Sequence, residues 1–286
     1  MNKIKMAYFE KGDSWAKIAG IYAIVLFFCA LTVYPMLNVL SIALRPGNQL
    51  FSSSLAIIPK GATLENFRKA IFETGLPIWL KNSLIISICT AIFGVVLSST
   101  AAYAFSRFRF LGRKAGMMTF LVTQMFPAPM LLLPMYILLV RLGLVNSFFG
   151  LLIPYTATAV PFSVWMLKGY FDTIPKSLEE SAYIDGCKVW QSFYLIVLPL
   201  STPALAIAAL FSFMSAWSEF VIARIVITNS EKLTLPVGLV NLQGSFASEW
   251  GVYSAAALIT SIPVVILFIS LSKYLVGGLT AGGVKE

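Results

Sequence analysis

Long apolar runs separated by polar connectors set the organisation of this chain. The runs fall near residues 18–40, 82–105, 115–140, 149–168, 201–223 and 252–275, and each matches the ~20 residues a helix needs to cross a bilayer core. The pattern predicts an all-α membrane protein with six transmembrane helices, because a segment in lipid must satisfy its own backbone hydrogen bonds. That frame leaves a tail at 1–17, a six-span domain at 18–275 and a second tail at 276–286.

The connector at 169–200 is far longer than a crossing requires and carries helical signals of its own. Pro175 and Ser177 mark a helix start, and Ser177 with Glu180 three residues later has the form of a capping box. Glu179 and Glu180 suit the positive end of the helix dipole. Asp185-Gly186 marks a stop, since glycine accepts the left-handed conformation. Val189, Trp190, Phe193 and Val197 then share one face of a second helix, and Pro199 stands at the entrance to the fifth run. The pattern predicts two short helices with a bend, projecting from the membrane. An amphipathic hairpin resting on lipid and a docking element for another protein both fit it. The acids Asp172, Glu179, Glu180 and Asp185 disfavour lipid, because the cytoplasmic leaflet is anionic.

Within the runs, Pro127, Pro129, Pro134, Pro154 and Pro161 interrupt the third and fourth. Freed carbonyls in lipid must find partners on neighbouring helices or in a wet cavity, so these helices are expected inside the bundle or along a pathway. Ser87, Ala91, Gly94, Ser98 and Ala101 put small residues on one face of the second run, which lets helix backbones approach closely. That face belongs to an interface, within the subunit or with a second one. Glu219 is the main ionisable residue inside a run, a pathway candidate in its own right. It lies near the outer end, where headgroups or Arg224 offer a partner. Trp217 and Tyr155 are candidates to stack on a substrate, with packing as the plainer role.

Composition narrows the function classes. Only 12% of residues are charged, against 58% hydrophobic, where a soluble domain carries about 25% charged. The net charge of +9 then reads as the positive-inside rule rather than as nucleic-acid binding. Arg107, Arg109, Arg113 and Lys114 place the second connector in the cytoplasm, with the 169–200 connector and both termini on the same side. Residues 41–81, 141–148 and 224–251 lie outside. The N-terminal run is too long for a signal peptide and reads as a retained span. Histidine is absent, which removes imidazole bases and histidine metal sites. Cys29 and Cys89 read as small core hydrophobes and Cys187 as a loop residue, with no disulfide framework. No phosphate-binding G-x-x-x-x-G-K-[ST] loop occurs, so ATP hydrolysis has no seat in this sequence.

Glu179-Glu180-Ser181-Ala182-Tyr183-Ile184-Asp185-Gly186, followed by Phe193 and Leu198-Pro199-Leu200, resembles the EAA loop of binding-protein-dependent ABC-importer permeases. Residues 41–48, 101–107 and 124–128, and the ending Gly278-Leu279-Thr280-Ala281-Gly282-Gly283-Val284-Lys285, resemble the MalG-like permeases of maltose/maltodextrin importers. The similarity covers essentially the whole chain. Its one departure is Ser181, where the motif has alanine. The resemblance implies a type I importer permease (MetI-like) fold with cytoplasmic EAA coupling helices, in a bacterial cytoplasmic membrane.

It implies that Ser177, Glu179, Glu180, Ala182, Asp185 and Gly186 couple to a homodimeric MalK-like ATPase, which holds the ATP and Mg while this chain holds no cofactor. Gly278, Thr280, Gly282, Gly283 and Lys285 would reach the ATPase interface. Gly238, Asn241 and Gly244 would lie in a loop facing an extracytoplasmic sugar-binding protein. A second, MalF-like permease would complete the pathway and hold most of the sugar. The cargo implied is a malto-oligosaccharide. A galacto-oligosaccharide or a polyol on the same architecture is the main alternative, ahead of an ion-coupled secondary transporter or a membrane enzyme.

Overall fold

A computed structural model describes residues 15–47, 50, 56–243 and 249–281, with the side chains of 128, 129 and 275–281 left aside. Among the described residues, four helices are long and apolar enough to cross a membrane: α1 (Trp15–Leu44), α3 (Leu76–Arg107), α6 (Phe149–Thr173) and α13 (Trp250–Ala281). Between them run α2 (Glu65–Phe72), α4 (Arg113–Met125), α5 (Ala128–Arg141), α7 (Lys176–Ile184), α8 (Val189–Ser192), α9 (Leu198–Leu200), α10 (Thr202–Trp217), α11 (Val221–Val226) and α12 (Leu235–Leu242).

The third and fifth predicted spans are not single helices. α4 and α5 meet at 105°, and the α8–α9 segment meets α10 at 81°. With each bent pair counted as one span, the total is six. The first break has a local cause. Phe126 is extended, with ψ 128°, because a residue before proline is driven out of the α region, and Pro127 follows it at ψ 123°. The fifth run stops at Trp217 rather than continuing to 223, since Ser218 and Glu219 stand outside the helix. The last helix extends through Ala281, past the boundary at 275 expected from hydropathy.

The bundle is built around α3, which packs along α6 and α10, while α1 lies at the periphery against α13 and α2. The small-residue stripe of α3 faces these neighbours of the same chain. Ser87 and Ser98 are fully buried, and a Cβ added at Gly94 would stand 2.8 Å from Ser212 Oγ on α10. The interface is therefore internal to the subunit. Cys29, expected in the core, is exposed on α1, because most of this helix's circumference has no protein of the same chain packed on it.

Two apolar clusters fill opposite ends. One gathers Leu76, Trp79, Tyr155, Trp217, Leu235 and Val252. The other gathers Tyr103, Leu167, Phe171, Val197 and Ala204, directly beneath α7.

Candidate functional site

The connector at 169–200 folds as two helices with a bend, but its start differs from the sequence expectation. Ile174 is extended, again because a proline restricts the residue before it, and Pro175 is extended too. α7 begins at Lys176, immediately after Pro175, so Ser177 is already inside the first turn. The Ser177–Glu180 capping box therefore does not form, and no side chain caps α7.

The other end stops at Gly186, with φ +88°. Its N–H donates to the Tyr183 carbonyl at 3.1 Å, and the Cys187 N–H donates to the Ala182 carbonyl at 2.9 Å. That pair of bonds is a Schellman stop. The next helix is started by the Lys188 N–H, which donates to Gln191 Oε1 at 2.7 Å. Between Phe193 and Val197 the backbone widens to a π-helix, just ahead of Pro199, whose ring nitrogen has no hydrogen to donate.

α7 has two faces of different character. Ser177, Glu180, Asp185 and Gly186 are exposed. So are Leu178, Tyr183 and Ile184, the last at 88%, and Trp190 and Tyr194 beyond the bend lie against each other, tilted, with ring centroids 4.9 Å apart on the same exposed knob. Acids interleaved with large apolar side chains suit a protein groove better than water or an anionic leaflet. The inward face carries Ala182 and Glu179. The Glu179 carboxylate does not share the exposed face of Glu180. Oε2 accepts from the Tyr103 hydroxyl at 2.7 Å and Oε1 from Arg107 Nε at 2.5 Å. Tyr103 was not singled out in the sequence, and Arg107 counted there only as a loop charge.

The end bearing α12 is also more ordered than a surface loop. Gly238, expected in such a loop, is buried in α12, and a side chain there would collide with the Trp79 indole. Asn241 is exposed and accepts from Arg224 at 3.3 Å. Gly244 lies outside the described residues. Asn146, at φ +58°, holds residues 228–229 by accepting from the Thr228 and Asn229 amides at 2.7 and 3.1 Å. Asn82 donates to the carbonyls of Glu231 and Leu233, both at 2.9 Å. Neither asparagine carried a signal in the hydropathy pattern.

Glu219 does not pair with Arg224. Its carboxylate accepts from the Ile222 and Ala223 amides at 2.8 and 3.1 Å and from the Tyr155 hydroxyl at 2.8 Å. It thus caps α11 and ties it to α6. Trp217 is buried and stacked on Phe213 at 5.4 Å, a packing role. On α2, the hydrogen bond from Arg68 holds the Glu65 carboxyl below its ordinary value. Of the tail residues, Gly278 and Thr280 fall within the α13 helix, while Gly282, Gly283 and Lys285 lie outside the described residues. Among the described residues, no group of three or more Cys, Asp or Glu is placed to hold a metal ion.

A family model for the binding-protein-dependent transport system inner membrane component matches residues 94–280, the stretch that holds the knob and the helices beneath it. The chain belongs to this family. The permease is therefore a multi-pass membrane protein. It is 36% identical to a maltose/maltodextrin transport system permease protein MalG of Yersinia pestis, over 99% of this chain and 98% of that one. It is 39% identical to the galactooligosaccharides transport system permease protein GanQ of Bacillus subtilis, over 92% and 94%. A diacetylchitobiose uptake system permease protein, DasC of Streptomyces coelicolor, is 33% identical over 96% and 98%. The fold matches a chain in the crystal structure of a bacterial ABC transporter involved in the import of the acidic polysaccharide alginate. That match has a TM-score of 0.81 at 23% identity, covering 92% of the permease and 99% of the other chain.

Proposed function

We propose that the permease is the smaller membrane subunit of an ABC importer for malto-oligosaccharides, working by alternating access. A homodimeric ATPase supplies the energy, a second permease completes the pathway, and an extracytoplasmic sugar-binding protein delivers the cargo. ATP and Mg sit in the ATPase. The α7–α8 knob and both termini face the cytoplasm, and the α12 end faces the binding protein.

The observation that carries this reading is the two-faced α7. Its ends are fixed by Pro175 and by the Gly186 stop, so it moves as a unit. Its outward face combines Glu180 and Asp185 with the exposed Ile184, a surface suited to a groove in a soluble partner. ATP binding shifts the equilibrium only if the partner's two states bind this surface differently. The maltodextrin cargo rests on the similarity to MalG-type permeases.

The similarity to the galactooligosaccharide permease supports a second cargo reading. One experiment separates the two. The tagged permease is purified from its native membrane, the co-purifying subunits are identified, and the binding protein is titrated with maltotriose and with a galacto-oligosaccharide. Tight binding of maltotriose alone supports the first reading, and tight binding of the galacto-oligosaccharide alone overturns it. Purification without an ATPase contradicts the importer mechanism itself.

A further inference from the structure

The importer reading leaves open how movement of α7 enters the bundle, and the side chains around Glu179 give an answer that rests on that reading. The covalent route from α7 leads through α8 and α9 into α10, but it turns through 81° before α10 begins. A bent backbone joint transmits displacement poorly unless its bend is braced. The bonds that span this bend are neutral: the Ser201 amide donates to the Val197 and Leu198 carbonyls at 3.0 and 3.1 Å, the Thr202 hydroxyl to the Pro199 carbonyl at 2.7 Å and the Tyr170 hydroxyl to the Leu200 carbonyl at 3.3 Å.

A second route is fastened by buried charge. Glu179 and Arg107 side chains are 3% and 8% exposed. Beyond its bond to Glu179, the Arg107 guanidinium donates through Nη2 to the Ile174 carbonyl at 3.1 Å and through Nη1 to Ser106 Oγ at 3.1 Å. The Ser106 hydroxyl donates to Asp172 at 2.6 Å. Tyr103, which donates to Glu179, also lays its ring on Phe193 at 4.7 Å. The last turn of α3 thus grips α7, the residue ahead of Pro175, the end of α6 and the π-helical stretch at once. Charge-assisted bonds of this kind are shorter and stronger than neutral ones, and removing one partner leaves the other charge buried. α3 is also the helix that packs along both α6 and α10.

We propose that Glu179 is a positioning residue that locks α7 to the last turn of α3, so that displacement of the knob enters the bundle through α3 rather than around the bend into α10. Glu180, its neighbour, is exposed on the other face, so docking and locking are divided between adjacent carboxylates.

The test uses the complete importer in proteoliposomes and reads sugar uptake per ATP hydrolysed. Glu179→Gln and Arg107→Gln each lower that ratio by roughly tenfold while ATP hydrolysis continues, because the outward face of α7 is untouched. The charge exchange Glu179→Arg with Arg107→Glu recovers a substantial part of the ratio. An unchanged ratio in both single variants overturns the proposal. So does a loss of uptake that follows only the loss of assembled complex, which marks a purely structural pair. Should the variants not assemble, spin labels on the otherwise wild-type importer decide. A label pair at Ile184 and Arg109 keeps its separation between nucleotide-free and ATP-bound states if α7 and α3 move together. A pair at Ile184 and Leu200 does not. The reverse pattern contradicts the α3 route. Wild-type uptake that needs no ATP defeats the importer reading instead, and is seen in the same assay.

Discussion

The Tyr155 hydroxyl donates to the Glu219 carboxylate at 2.8 Å, joining the second turn of α6 to the break between α10 and α11. The same carboxylate accepts two α11 amides, so one side chain holds three groups that lipid would leave unsatisfied.

Removing the acceptor therefore costs more than removing one donor. Tyr155→Phe should lower stability by about 1 kcal/mol and Glu219→Ala by about 2–3 kcal/mol, since a charged acceptor is lost and partners are left unpaired. Thermal unfolding of the purified permease in nanodiscs checks the order. Equal midpoints for the two variants would contradict the capping role.

Close approach of α3 and α10 at Gly94 predicts a rescue. A methyl group at Gly94 would meet Ser212 Oγ at 2.8 Å, and that hydroxyl has no hydrogen-bond partner. Gly94→Ala should destabilise by about 1–3 kcal/mol as an overpacked contact. Ser212→Ala should cost little alone and relieve part of the loss when combined. Additive effects in the double variant would show that the two positions do not press on each other.

Gly186 ends α7 in the left-handed region at φ +88°. A β-branched residue is strained there, by about 1–2 kcal/mol. Gly186→Val should reduce sugar uptake by the assembled importer more than Gly186→Asn, which tolerates that conformation. The opposite order would show that the glycine serves close contact with the partner instead of the turn.

The hydropathy pattern shows how many times the chain crosses and where the knob lies, because both depend on local runs and on glycine and proline chemistry. Gly186 and Pro175 act on their own neighbours, so their effects are visible in sequence. The break at Phe126-Pro127 is also local, yet the flanking residues are apolar enough to read as one span. Ser177 misled because a cap depends on where the helix begins, and Pro175 starts it two residues earlier. The burial of Glu179 and of Gly238 was hidden from the sequence for a different reason. Their burial is set by partners distant in sequence, Tyr103 and Arg107 for one and Trp79 for the other. No periodicity within a single connector encodes such pairings. Asn82 and Asn146 belong to the same class, since each binds backbone more than 80 positions away.

In the proposed importer, the exposed face of α7 is held by a separate ATPase during transport. A photo-crosslinking residue at Ile184, which is 88% exposed, tests it in native membranes during sugar uptake. The account predicts a dominant covalent adduct with the ATPase subunit, weakened by Glu180→Lys. Adducts with phospholipid alone, at undiminished uptake, would contradict it.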